Sequence, residues 1–377
     1  MEIERQALPE GAVSGFGVAA DPETVEQLQE YRGNDVPWTW PLLMRDRGGI
    51  DDTVVKVRSA GVAGSITIDP HEWNTIATVD RPTALTDSEG AGTLFDPGIQ
   101  SWGLTRIKDL GIDAILTPSL LADRLDALSA VVEVVQEARW PVVPFIALDI
   151  TLLDQVDAVR AALRPLRALT PKPGLALAVV GPFDGLAAHG RVAGLRSVLA
   201  DHPGAWLVYV DPLVATDALS LGAAAAFVGA KSSWRRPPRP SASGGGPHAA
   251  GFIPGLFHRE LLEMRSPAIY EDWYADLPTP VCPDCNTAVD SYTSDDEDKL
   301  AVVEHNLHAI DEFVRELNDR EYPERAAWLR RSRADALAAH LSLTSGGEPI
   351  DADVILRRLC ELDDPQQRRT TTSGAWL

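Results

Sequence analysis

Residues 280–286 read PVCPDCN and hold two of the chain's three cysteines, Cys282 and Cys285, in a Cys-x-x-Cys turn. Two thiolates at this spacing present their sulfurs to one point. His305, twenty residues past Cys285, is an imidazole of the kind zinc accepts as a further ligand. The stretch KLAVVEHNLHAIDEFVREL (299–317) puts Leu300, Val303, Leu307, Ile310, Val314 and Leu317 on one helical face, so His305 is read as borne on a helix. A Zn2+ ion held by Cys282, Cys285 and His305 would staple a loop to that helix, which is structural chemistry. A closed structural site takes four ligands, and Cys360, Asp284 and Asp290 are the candidates for the fourth. The same residues also fit a metal-free turn beside a helix-face histidine.

A second set of residues suits acid–base work. Several short apolar runs end on an acid: Asp69, Asp87, Asp149, Asp184 and Asp211. Two or three carboxylates on one rim can protonate a leaving group and stabilise a cationic sugar. Aspartate is also a favoured helix N-cap, and Asp69 and Asp211, each followed by proline, read as caps. Beyond them comes KSSWRRPPRP (231–240), with Lys231, Arg235, Arg236 and Arg239. It reads as a phosphate-facing patch, or as a solvated loop whose arginines pair with surplus acids. Trp234 and Trp273 suit base stacking or core packing.

These residues need a frame. The runs GSITIDP (64–70), TALTDS (83–88), DAILTPS (113–119), VVPFIALDI (142–150), GLALAVVGPFD (174–184), AWLVYVDP (205–212) and AAAFVGAKS (224–232) are nearly continuously apolar, as parallel strands buried on both faces are. Between them the spacing turns helical, as at Leu153, Val156, Val159, Leu163 and Leu166. With AAGFIPGLF (249–257) as an eighth strand, the pattern predicts an α/β fold, a (β/α)8 TIM barrel. No G-x-G-x-x-G and no P-loop is present. The expected organisation is a lead-in over 1–60, the barrel over 61–275, a zinc-binding subdomain with its following helix over 276–320, and a small C-terminal helical appendix over 321–377. Residues 237–248, dense in proline, serine and glycine, read as a loop on the catalytic face.

The formal net charge of −21 repels polyanions at long range, so nucleic-acid binding would need a local basic patch. The N-terminus lacks a basic start followed by an apolar run, and no apolar stretch is long enough to span a bilayer. A cytoplasmic protein without a membrane partner is therefore expected, with its cysteines used in metal ligation or burial.

CPDC, a spacer, and then HNLHAIDEFVREL resemble the end of the tRNA-guanine transglycosylases. The resemblance extends to ALTDSEG (84–90), PFIALDI (144–150) and DALSLGAAAAFVGAKSSWRR (217–236), and covers roughly residues 60–318 in pieces. It implies a zinc-bearing (β/α)8 barrel that exchanges a guanine for a 7-deazaguanine, with relatives that act on DNA. It implies Asp87 as the acid–base or nucleophilic residue, Asp149 as the acceptor for the purine's amino and ring N–H groups, and Asp184 beside the base. It implies Arg235, Arg236 and Arg239 as nucleic-acid contacts, and Lys231, at a strand end, is read as a replacement charge or a phosphate contact. Two departures stand out. The first cysteine of the family's trio falls on Pro280. The family's Phe-Asp nucleophile falls near Phe227-Val228, with no acid between Asp217 and Glu260. The expectations are a divergent base-exchange or N-glycosidic enzyme (a transferase) on tRNA, DNA or a nucleoside, a non-catalytic subunit dimerising with itself or with an active transglycosylase homologue, or a small-molecule barrel enzyme.

Overall fold

The computed structural model describes residues 13–33, 36, 38–45, 50–87, 98–170, 173–182, 184–240, 253–283 and 285–364, without the side chains of 50, 51, 53, 86 and 87. They form two compact units, Met1–Gly185 with Gly194–Gly246, and Leu186–Ala193 with Pro247–Leu377.

The first unit is built on one all-parallel sheet: β1 (Gly15–Ala20), β2 (Leu42–Arg45), β3 (Ile66–Asp69), β4 (Ala114–Leu116), β5 (Leu121–Ala122), β6 (Val142–Val143), β7 (Phe145–Asp149), β8 (Ala176–Val180), β9 (Trp206–Val210) and β10 (Ala225–Gly229), in the order β5-β7-β8-β9-β10-β1-β2-β3-β4-β6. Only Pro144 separates β6 from β7. It has no N–H to give the ladder, yet its carbonyl still accepts from Ala176 N at 2.7 Å. Counted as one strand, β6 and β7 pair with β4 on one side and β8 on the other, while β10 pairs with β1. The neighbours thus return to their start, so this all-parallel α/β sheet, with helices between strands, is compatible with a TIM-like barrel.

Alternate residues point inward. Ala19, Leu43, Leu116, Phe145, Ala147, Ala178, Val208 and Phe227 meet in one buried cluster. Gly17 belongs to this packing: a Cβ there would lie 2.6 Å from the Phe227 ring. Trp206 stands edge-on to Phe227 at 5.5 Å and to Trp140 at 6.0 Å.

The strand assignments differ from expectation at both ends. The lead-in over 1–60 contains β1 and β2, which are integral to the sheet. TALTDS is not a strand; Ala84–Asp87 is a 3-10 turn. Among the described residues of AAGFIPGLF, 253–257, none joins the parallel sheet. Its last residues begin β11 (Leu256–His258), antiparallel to β12 (Glu263–Arg265) in the second unit.

That second unit adds helices Pro267–Trp273, Asp296–Asn318, Tyr322–His340 and Val354–Asp363. Leu256, Tyr270, Trp273, Val289, Tyr292, Val302 and Leu343 share one core. The expected boundary at 275 and the separate appendix from 321 give way to this shared core: Ala339 and Ile350 pack on the same cluster as Val302. No helix among the described residues is long and apolar enough to cross a membrane.

Candidate functional site

In the second unit, the Cys-x-x-Cys turn is held by its own backbone. Cys282 N donates to Thr287 O at 3.0 Å, Asn286 N to Cys282 O at 2.9 Å, and Val289 N to Pro280 O at 3.1 Å. Asn286 takes the left-handed conformation the turn requires, at φ 53°, which asparagine tolerates better than most residues. The helix Asp296–Asn318 delivers His305 and Asn306 together. Asn306 Oδ1 accepts from Phe257 N at 2.6 Å and its Nδ2 donates to Gly255 O at 2.9 Å, so its amide locks the helix to β11. His305 Nε2 lies 3.0 Å from Phe257 O, which leaves Nδ1 facing the turn, 3.4 Å from Cys285 Sγ.

The ligand atoms of Cys282, Cys285 and His305 all lie within 4.8 Å of one another, and the group could hold a metal ion. Tyr292 Oη adds a contact to Cys285 Sγ at 3.6 Å. Burial acts to raise the Cys285 thiol, but hydrogen bonds with His305 and Tyr292 outweigh it and bring its pKa down to about 6. For His305, burial acts to lower the pKa, and hydrogen bonds to Cys282 and Cys285 push it up to about 10. The carbonyl of Phe257 orients the His305 ring toward the two sulfurs, as an outer hydrogen bond does for a metal-binding histidine. Among the candidates for a fourth ligand, Asp284 lies outside the described residues, Asp290 accepts from Thr279 at 2.9 Å, and Cys360 is buried on the helix Val354–Asp363 and is not part of the cluster.

In the first unit, acids line the strand ends, and Asp149, Asp184 and Asp211 each have a partner. Asp149, wholly buried at the end of β7, caps the turn Ile150–Gln155 by accepting from Thr151 N at 2.9 Å, and its other oxygen accepts from Arg239 Nε. Burial raises its pKa, and the bonds from Arg239 and Thr151 outweigh that and hold it below the usual carboxylate value. Asp211 caps the helix Pro212–Ser220, as its proline suggested, and takes Arg236 Nε at 3.1 Å. Asp184 is exposed and meets Arg236 Nη1 at 3.5 Å. Lys231 Nζ donates to Asp21 Oδ2 at 3.0 Å, and Asp21 itself caps the helix Pro22–Arg32. Arg235 is buried, and burial lowers its pKa to about 10, so it is not offered to solvent as the phosphate-contact expectation requires. Arg236 and Arg239 are paired with acids. Asp87 ends the turn Ala84–Asp87, and its side chain lies outside the described residues, as do residues 241–248 of the expected loop. Trp234 and Trp273 are both core residues.

A cluster the sequence reading passed over surrounds Asp69. This buried carboxylate accepts from His71 N at 2.8 Å, from Trp73 Nε1 at 2.9 Å and from the Tyr209 phenol. Burial raises the Asp69 pKa above its usual value despite those three donors. Burial also raises Tyr209 well above the ordinary phenol, and the Asp69 charge adds to that. His71 and Tyr209 both have φ of 60°, a conformation that costs a residue with a Cβ about 1–3 kcal/mol. The Tyr209 turn coincides with a register shift: Phe227 pairs with Val208, but Val228 with Val210. The extra residue rotates inward and reaches Asp69. Arg45, at the end of β2, lies over Trp73 at 4.9 Å and Trp234 at 5.0 Å and contacts His71 Nε2. The signal for this cluster was Asp69-Pro-His71-Glu-Trp73 directly after a strand, three side chains at alternate positions.

No protein-family model matches the chain, and no curated protein matches it.

Proposed function

We propose that this is a divergent tRNA-guanine transglycosylase-like protein, which acts on a purine or 7-deazapurine base of a nucleic acid by base exchange or N-glycosidic chemistry. The observation that carries the reading is the convergence of Cys282, Cys285 and His305 on one point, from positions that the resemblance marks as ligands. Zinc is the metal assigned to them. Two thiolates and an imidazole suit it, and when bound it supplies a cross-link between the turn and the helix Asp296–Asn318. The all-parallel strand pairing is compatible with the barrel that the same resemblance implies.

On this reading the strand ends of the first unit hold the base. A carboxylate that only accepts suits a donor edge, and Asp149 and Asp87 have that chemistry. The test is incubation of the purified chain with tRNA and with duplex DNA in the presence of labelled guanine. Incorporation of label or release of a base supports the reading. No turnover, together with no binding of either nucleic acid at low salt, overturns it.

A second reading is favoured by Val228 and by the Asp149 pairing. With no acid at the family's nucleophile position and both Asp149 oxygens engaged, the chain would be a non-catalytic partner of an active homologue. Nucleic-acid binding without turnover, with restored turnover on mixing with a transglycosylase homologue, selects it.

A further inference from the structure

The segment Lys231–Pro240 follows β10, and its cations reach carboxylates beyond four other strands. Lys231 meets Asp21, after β1, at 3.0 Å. Arg236 meets Asp211, after β9, at 3.1 Å, and Asp184, after β8, at 3.5 Å. Arg239 pairs with Asp149, at the end of β7. Gly181 N donates to Pro237 O at 2.9 Å, and Trp234 is buried in the barrel cluster. The backbone sits tightly here: a Cβ on Gly229 would lie 2.3 Å from Trp234 C. Asp21, Asp149 and Asp211 are nearly or wholly buried, while Lys231 and Arg239 remain about half exposed. One strap therefore lies across the strand ends, held by three acids that water reaches poorly and by the exposed Asp184.

We propose that this strap is a charge latch over the barrel mouth, in which Asp21, Asp149 and Asp211 stand in for phosphates and a phosphodiester chain releases it by taking over Lys231, Arg236 and Arg239. The proposal rests on the nucleic-acid reading above and adds its regulation. Guanidinium groups bind carboxylate and phosphate oxygens with the same geometry, so exchange of one for the other needs no new chemistry. A chain with net charge −21 repels a polyanion at a distance. Here its surplus acids also occupy the cations such a ligand needs, and a ligand that wins them frees the Asp149 and Asp211 carboxylates at the mouth. Several linked phosphates compete with several linked carboxylates; a single phosphate does not.

The test is hydrogen exchange of the peptide 231–240 in the full chain, at low salt and at about 1 M NaCl, where the Debye length is about 3 Å. Separate low-salt arms contain inorganic phosphate, a nucleoside monophosphate, a single-stranded oligonucleotide or tRNA. Expected is faster exchange of this peptide at high salt and with oligonucleotide or tRNA, and no change with the two monophosphates. Equal exchange at both salt levels overturns the latch. A strap released by salt in a chain that binds neither oligonucleotide nor tRNA overturns the phosphodiester assignment and, with it, the nucleic-acid reading. Nucleic acid bound without strap release overturns the latch alone. As a second measure, Asp21→Asn and Asp211→Asn, which keep a capping side chain, should each tighten oligonucleotide binding roughly fivefold, a gain of about 1 kcal/mol. Asp109→Asn, an exposed acid near the end of the helix Gly98–Leu110, removes the same charge and should change binding little. Equal tightening by all three variants would assign the effect to net charge and overturn the latch.

Discussion

Asp69 and Asp149 end apolar strands of the same kind, yet their surroundings push them in opposite directions. Asp69 is buried among neutral donors, which leaves its pKa raised. Asp149 is buried against a guanidinium, which leaves its pKa lowered. For Asp149 the folded pKa lies below the ordinary value of 3.8, so its ionised form stabilises the fold above that pH. The contribution is lost as pH falls from 3.8 through the folded value. Urea unfolding between about pH 5 and pH 3 should therefore show a shallower acid loss in Asp149→Asn than in the parent chain; parallel curves would remove the assignment. Tyr209→Phe deletes one of three donors to a buried carboxylate. It should cost about 1–3 kcal/mol in the same measurement, and an unchanged midpoint would mean that the Tyr209–Asp69 bond contributes nothing. Asp149, Asp184 and Asp211 could be named from sequence because each closes an apolar run. Tyr209 could not: it sits inside AWLVYVDP, and only a register shift against β10 turns it inward.

At the scale of elements, legibility followed burial. β7, β8, β9 and β10 are apolar on both faces and stand out in the chain. GFGVAA and LLMR form β1 and β2 with hardly a β-branched residue between them, so propensity gave no signal. Their place is set by tertiary fit instead, and Gly17 is the clearest case. Gly17→Ala would push a methyl into the Phe227 ring at 2.6 Å. It should destabilise the chain by about 1–3 kcal/mol, read as a lower urea midpoint, whereas a neutral result would show that Phe227 has room to move. TALTDS misled in the other direction, its apolar and β-branched residues folding into a single 3-10 turn. The helix bearing His305 was read correctly from its period, but the bond of Asn306 to β11 was not, because it depends on a strand some fifty residues away in sequence.

At the scale of the whole chain, charge is distributed with a purpose that composition conceals. The excess of acid repels polyanions at long range, and the strand ends pair their carboxylates with one basic segment, which the latch proposed above would exchange for phosphates. The two units divide the chemistry. The first holds the strand-end carboxylates, and the second holds the cysteine–histidine cluster, proposed above as a zinc staple that contributes to folding. Chelation should accordingly loosen the second unit. Backbone exchange in the helix Asp296–Asn318 should rise, while that of β7 to β9 stays as it was; equal loosening of both would contradict the division.

The proposed likeness to the transglycosylases depends on the cysteine–histidine cluster, so the most direct measurement is metal content. The purified chain should carry about one zinc per molecule, and Cys282→Ser and His305→Ala should each lose most of it, since structural zinc binds strongly through all its ligands. A metal-free parent chain, or variants that retain the parent's zinc, would contradict the account.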